Sequence, residues 1–490
     1  EGLQFPEHLL ALTHISVQPV DINILDKSAG VHPFETTADF DHFLRRPDDF
    51  VVWMDTAIAN LRRGVAMGVV HPRLVVERLL PELDAMIVDD PSKSVFLEPL
   101  HHAPPSMSAA DRARLEAAYR AAIRDKIVPA YRRLRTFLAT EYLPHTRTTV
   151  SFEALPNGKA WYAYRVREST TTSRTPDEIF ALGEAEVARI DKELRAVCAA
   201  AGWKGDVASF ARAQAAAPGG LTTRDGFVAA YNELRGKVTA ALPTMFGRLP
   251  RAGFEIRAIE PFREDSAPSQ YQPPSPDGKR PGIFFVNAAN ITAGKPMRVS
   301  ETLFLHEAVP GHHIQIALQQ ELENQPPFRR FAHAKAFVEG WGLYAERLGL
   351  EVGFYQDPYR DFGRLSYEMW RACRLVADSG IHWKRWSREQ ARACFVRNTA
   401  LSPKNIDVEL DRYVSWPGQA LAYKVGELTF RRLRQKAEIG LGPAGYCRIR
   451  HDDGLLAGLL PLGLLETRVD YWIAAEGTAA EAAAQKTPGS

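Results

Sequence analysis

An apolar helical run from about Ser300 to Leu318 carries His306, Glu307, His312 and His313 and is interrupted by Pro310-Gly311. This segment limits the possible fold more than any other. Buried polar side chains are costly without partners, so three histidines and an acid in apolar company must be satisfied inside the protein. Proline at 310 removes a backbone donor and clashes with the preceding turn. Glycine at 311 adopts conformations closed to other residues, so the helix is expected to bulge or break there. In a straight helix His312 would sit about 240° around from His306, and His313 would return to the same face about 10 Å along the axis. A two-residue bulge restores His312 as the partner of His306. His313 is then a neighbour, a substrate contact or the alternative second ligand.

Two histidines and an adjacent glutamate are the donors and the base that a hydrolytic zinc site uses, but the usual four-residue spacing of the histidines is absent here. Such a site needs a third protein ligand. Downstream, the apolar segment from Phe337 to Glu346 carries Glu339 and Glu346, seven residues apart on about the same helical face. Glu339 is the expected third ligand, its apolar flanks pointing to a buried position. Glu346 is assigned to supporting a ligand from behind. One Zn2+ per chain is expected, held by His306, His312 and Glu339, with Glu307 as general base.

The rest of the chain is helix-rich. Of its 490 residues, 45% are hydrophobic and 24% charged, values of an ordinary globule. Helical periodicity runs from a start at Thr37-Ala38-Asp39 through Phe40, Phe43, Leu44, Phe50, Val51, Met54, Ile58 and Leu61. A long helix is expected from about Ser108 to Leu138, and another opens at Thr175-Pro176-Asp177-Glu178 with the residues of a capping box. Phe254 to Ile259 alternates as a strand, a Pro/Ser/Gly-rich loop runs from Ser266 to Gly282, and Ile283 to Asn287 is a second short strand. The expected fold is mainly α with a small sheet, divided into an N-terminal helical region at 1–250, a metal-binding region at 251–475 and a polar tail at 476–490.

Lys and Arg number 61 against 59 Asp and Glu, a formal net charge of +2, so no nucleic-acid partner is expected. The apolar stretch Leu455 to Leu465 is too short to span a bilayer. Four scattered cysteines, Cys198, Cys373, Cys394 and Cys447, are expected to be free, mostly buried thiols. The first residue, Glu1, leaves open an exported protein whose signal peptide lies outside this numbering as well as a cytoplasmic one.

In several blocks the chain resembles the bacterial domain-of-unknown-function 885 family, which belongs with the gluzincin-type zinc peptidases. The blocks are His306-Glu307 to His312-His313 with Gln315; Glu339-Gly340-Trp341 with Tyr344 and Glu346; Asp378 to His382; and Arg412-Tyr413 with Pro417 to Ala420 and Tyr423-Lys424. His32-Pro33-Phe34 and the stretch with Gly68, Val70 and Pro72 match more loosely. The resemblance implies a largely helical gluzincin-like metallopeptidase fold with a deep cleft, the sheet lying beside the active-site helix and a downstream glutamate ligand.

The expected function is a zinc-dependent peptidase acting on a peptide or small amide substrate. The alternatives are a metal-dependent hydrolase of a non-peptide amide or ester and a non-catalytic metal-containing binding protein. His382 and Tyr423 are candidate donors to the oxyanion, and Asp378 is a candidate to orient His382. Gly282 to Asn287 is a candidate edge for an added substrate strand, with Asn287 in contact. Arg412 and Lys424 are candidates for a terminal carboxylate, with solvated surface charge as the ordinary explanation of each. End preference and oligomeric state are not encoded legibly.

Overall fold

In the computed structural model, residues 1–15, 32–259, 264, 268–445 and 458–485 are described. The chain forms two compact units, one of Glu1–Tyr164, Ile381–Glu389 and Asp407–Pro417, the other of Arg165–Gly380, Gln390–Ile406 and Gly418–Ser490. The division therefore falls near Tyr164 rather than at 250, and the first unit recruits two later segments of chain.

The first unit is built on the periodicities read above. Helix α1 (Thr37–Phe43) is capped by Thr36, whose side chain accepts the Asp39 backbone N–H while Asp39 returns a bond to the cap. Helices α2 (Arg46–Met67) and α3 (Arg73–Met86) follow, then α4 (Ala109–Ala122) and α5 (Val128–Phe137). The long helix expected from Ser108 to Leu138 is present, but it widens into a π-turn at Ile123–Ile127, which ends two residues before Pro129. Proline cannot donate to the ladder, and an extra residue per turn accommodates it. Phe40, Phe43, Met54, Leu61, Leu115, Tyr119, Tyr131 and Leu134 close on one another as the buried core of this unit.

The second unit carries the small sheet and the helices around the histidines. Helix α6 (Pro176–Ala200) opens with the expected capping box between Thr175 and Glu178, and α7 (Arg224–Met245) leads into the sheet. Strands β1 (Phe254–Ala258) and β3 (Gly282–Val286) are parallel neighbours. A third strand, β2 (Gln270–Gln272), pairs antiparallel with β3, so the order is β1-β3-β2 and the stretch read as loop contains an edge strand. Gly282 is needed at this pairing, because a Cβ there would lie 2.4 Å from the Tyr271 hydroxyl.

Helices α8 (Glu301–Glu307), α9 (His312–Gln320), α10 (Lys335–Leu348), α11 (Pro358–His382) and α12 (Ala422–Gly445) complete the frame. α10 and α12 cross at glycines. A Cβ on Gly340 would lie 2.4 Å from the Gly426 Cα, and one on Gly426 would lie 2.1 Å from the Ala336 carbonyl oxygen, so the two backbones touch.

A final helix, Leu462–Gln485, replaces most of the polar tail expected at 476–490, as its alanine-rich composition favours. Residues 455–457 of the apolar stretch, 266–267 of the loop, Cys447 and 486–490 lie outside the described residues. Cys198, Cys373 and Cys394 are free thiols, the first two buried. Among the described residues, no helix is long and apolar enough to cross a membrane.

Candidate metal centre

The Pro-Gly interruption is a complete break between two helices. α8 ends at Glu307, the Val309–Pro310 peptide is cis, and α9 begins at His312. A Cβ on Gly311 would lie 1.9 Å from the His306 carbonyl oxygen and 2.4 Å from that of Leu305, so the reversal admits only glycine. From α10 the Trp341 indole N–H reaches the carbonyl oxygens of Pro310, at 3.0 Å, and Gly311, at 3.3 Å, and holds the turn. Gly311→Ala is accordingly expected to destabilise the chain by about 3 kcal/mol or more, the upper part of the overpacking range, read as a fall in denaturation midpoint.

The break brings the two imidazoles together. Their ring centroids are 4.7 Å apart, with the planes near perpendicular. Nε2 of His306 lies 3.6 Å and Nε2 of His312 lies 3.7 Å from the same Glu339 carboxylate oxygen. One donor atom from each of His306, His312 and Glu339 falls within 4.8 Å of the others. Gly342, three residues after Glu339 on α10, makes room, since a Cβ there would stand 2.8 Å from the His306 ring. Glu339 itself is partly exposed rather than buried, which leaves an open side to the cluster.

Behind the cluster, His306 Nδ1 is 2.8 Å from Glu346 Oε1. A carboxylate oxygen only accepts, so Nδ1 carries a proton and Nε2 is the nitrogen turned towards Glu339. Burial alone would depress His306, but Glu339 and Glu346 outweigh it and raise its pKa to about 9. The site thus favours positive charge, which a divalent cation would supply in exchange for the proton on Nε2. His312 is pushed down to about 3 by burial and then by His306, and its Nδ1 has no hydrogen-bond partner among the described residues. Two imidazoles, one of them oriented by Glu346, and a carboxylate are donor types that zinc takes, so these residues fit the ion.

Glu307 borders the cluster. Burial, followed by the charge of Glu339, raises its carboxyl pKa to about 7 against the opposing charges of His306 and Arg371, and it accepts the backbone N–H of Tyr271 on the edge strand β2. Tyr423, at the start of α12, lies against the His306 ring with centroids 6.4 Å apart.

Other expected site residues are placed elsewhere. His313 turns to the sheet, its Nδ1 2.8 Å from the Tyr271 hydroxyl and its ring against Phe254, so it is not the alternative ligand. His382 belongs to the first unit and is wholly buried. Its Nδ1 accepts the Phe152 backbone N–H at 3.0 Å and its Nε2 donates to the Tyr413 carbonyl at 3.0 Å, which leaves no donor for an oxyanion. Asp378 does not orient it; both carboxylate oxygens accept the Gly418 N–H, at 3.0 and 3.1 Å.

Asn287 caps the end of β3, donating to the Glu264 carbonyl and accepting from Ala289 N–H, so its turn-forming reading holds. β3 is the central strand, already paired on both sides, and cannot take an added strand. Arg412 lies in the first unit beside Glu409, at 3.7 Å.

Lys424 is neither solvated nor available to substrate. It is 0% exposed, with its ammonium within 2.9 Å of Glu186, 2.7 Å of Glu368 and 2.9 Å of Glu427. Lys424→Met leaves three carboxylates facing one another and is expected to cost about 3–5 kcal/mol, checked by chemical denaturation.

The sequence reading missed Tyr271 and two arginines of α11. Arg371 contacts Glu346 at 3.2 Å, and Arg374 lies 4.4 Å over the Tyr423 ring. The available signal was Tyr367, Trp370, Arg371 and Arg374, at helical spacing on one face of α11.

A mainly helical chain with a three-stranded sheet and a His-His-Glu donor set beside a helix break is the class that fold and site define. The sequence profile described as "Bacterial protein of unknown function (DUF885)" matches residues 7–469, and the chain belongs to that family. Among solved structures it is similar to a "putative lipoprotein" from Colwellia psychrerythraea. The two are 29% identical with a TM-score of 0.88, over 95% of this chain and 81% of that one. A "putative lipoprotein of unknown function" from Shewanella oneidensis shares the fold, at 15% identity and a TM-score of 0.64, over 89% of this chain and 81% of that one. No curated protein matches.

Proposed function

We propose that the chain is a zinc-dependent peptidase of the gluzincin type, with the ion held by His306, His312 and Glu339 and with Glu307 as general base. The observation that carries this reading is the convergence of three donor atoms within 4.8 Å of one another beside a glutamate whose pKa is raised to about 7. When bound, zinc supplies Lewis acidity that polarises a carbonyl group and makes water nucleophilic at neutral pH. Glu307 takes the proton of the attacking water and passes it to the departing amine, so that the C–N bond breaks into a carboxylate and an amine. Tyr423, with its ring against His306, is the candidate donor to the oxyanion that develops. Glu346 holds the His306 ring in the required tautomer.

A peptide mixture incubated with the zinc-loaded protein, with and without a chelator, and read by mass spectrometry tests the reading. Cleavage that stops with chelation is expected. If acyl amides or esters are cleaved but no peptide is, the hydrolase survives and the peptidase does not; no turnover of any of them leaves a binding protein.

A further inference from the structure

Arg371 and Arg374 stand one helical turn apart on α11, buried to 5% and 3% exposure. Arg371 donates to the Tyr367 carbonyl at 3.3 Å and meets Glu346 at 3.2 Å, and its guanidinium lies 4.9 Å from the rings of both Tyr367 and Trp370. Its Nε–H is buried and has no acceptor among the described residues. Arg374 stacks 4.8 Å from Trp370 and 4.4 Å from Tyr423.

Buried guanidiniums are costly unless charge and hydrogen bonds satisfy them, and an unmet buried N–H calls for a reason. Arg371 already touches the carboxylate that backs His306. Arg374 touches the tyrosine that lies on His306. Arg371 thus stands on the Glu346 side of His306 and Arg374 on the Tyr423 side, each guanidinium flanked by two aromatic rings that fix its plane. That arrangement suits carboxylate recognition, since a planar, pre-oriented guanidinium matches a carboxylate geometrically.

We infer that Arg371 and Arg374 anchor a carboxylate of the substrate, so that the substrates are short peptides or N-acyl amino acids ending in a free α-carboxylate. The inference rests on the hydrolase reading of the centre. The spans from Arg374 to Tyr423 and from Tyr423 to His306, 4.4 and 6.4 Å, laid end to end equal about three extended residues. A terminus a few residues at most beyond the cleaved bond therefore reaches the anchor.

The test compares matched peptides as free acids and as C-terminal amides, with neutral or with Asp/Glu side chains, on the zinc-loaded chain and on Arg371→Met, Arg371→Lys, Arg374→Met and Arg374→Lys. N-acetylphenylalanine and its amide serve as binding probes in calorimetry, with bound zinc measured alongside. The free acids are expected to be preferred at least tenfold, in KM and in probe affinity. The methionine variants should lose that preference at unchanged zinc content, and the lysine variants should restore part of it. Equal handling of acid and amide overturns the inference, as does a preference that follows an acidic side chain rather than the terminus. A methionine variant that loses only zinc makes Arg371 a support for Glu346 and likewise overturns it. If the wild type cleaves nothing, the hydrolase reading fails while the probe titration still decides the anchor. If a methionine variant does not fold, the wild-type comparison and the lysine variants decide.

Discussion

Glutamine in place of Glu307 will slow turnover by about 10²–10⁴-fold, the usual contribution of a positioned general base. The two side chains have the same shape, so packing between α8 and the edge strand is kept. The amide cannot take a proton, so the step that Glu307 performs is lost. Glu307 is outside the group of converging donors, so zinc content should stay at about one ion per chain. Separation of the two readouts is the point of the variant. Progress curves on the best peptide, with metal analysis on the same samples, measure both; turnover within twofold of wild type would remove Glu307 from the mechanism.

The parts legible in the sequence are those written in local periodicity and local backbone chemistry. Phe40, Phe43, Met54 and Leu61 show the helical repeat and fill the core of the first unit. Thr175 with Glu178, and Pro310 with Gly311, act on their own backbones, and the chain starts a helix and breaks one where they stand. The parts that were not legible depend on partners far away in the chain. β2 has only three residues, and its pairing with β3 comes from tertiary contact rather than propensity. Lys424 looks like a surface lysine because two of its three carboxylates, Glu186 and Glu368, belong to other helices. His382 reads as reactive in isolation, yet its nitrogens are used by the backbones of Phe152 and Tyr413, from two distant segments. His312 and His313 are neighbours in sequence, and only the helix start after Gly311 decides that one faces Glu339 and the other Tyr271.

His306→Ala and Glu339→Ala should both empty the site of zinc, each by at least tenfold in bound metal, because three protein donors are few and neither remaining pair makes a tetrahedral cage. Their effects on the fold should differ. His306 is buried and contacts Glu346 Oε1, as does Arg371. Its loss leaves a cavity and a buried carboxylate short of a donor, a combination that costs about 2–4 kcal/mol. Glu339 is partly exposed and reaches outward to the cluster, so water can replace what alanine removes, and the metal-free stability should change by less than about 1 kcal/mol. Denaturation in chelator isolates this contrast, since metal linkage is then absent from both variants and from wild type. Elemental analysis before chelation supplies the other half. Full zinc in either variant would break the ligand assignment, and equal metal-free stabilities would show that Glu346 does not depend on His306 for its place in the core.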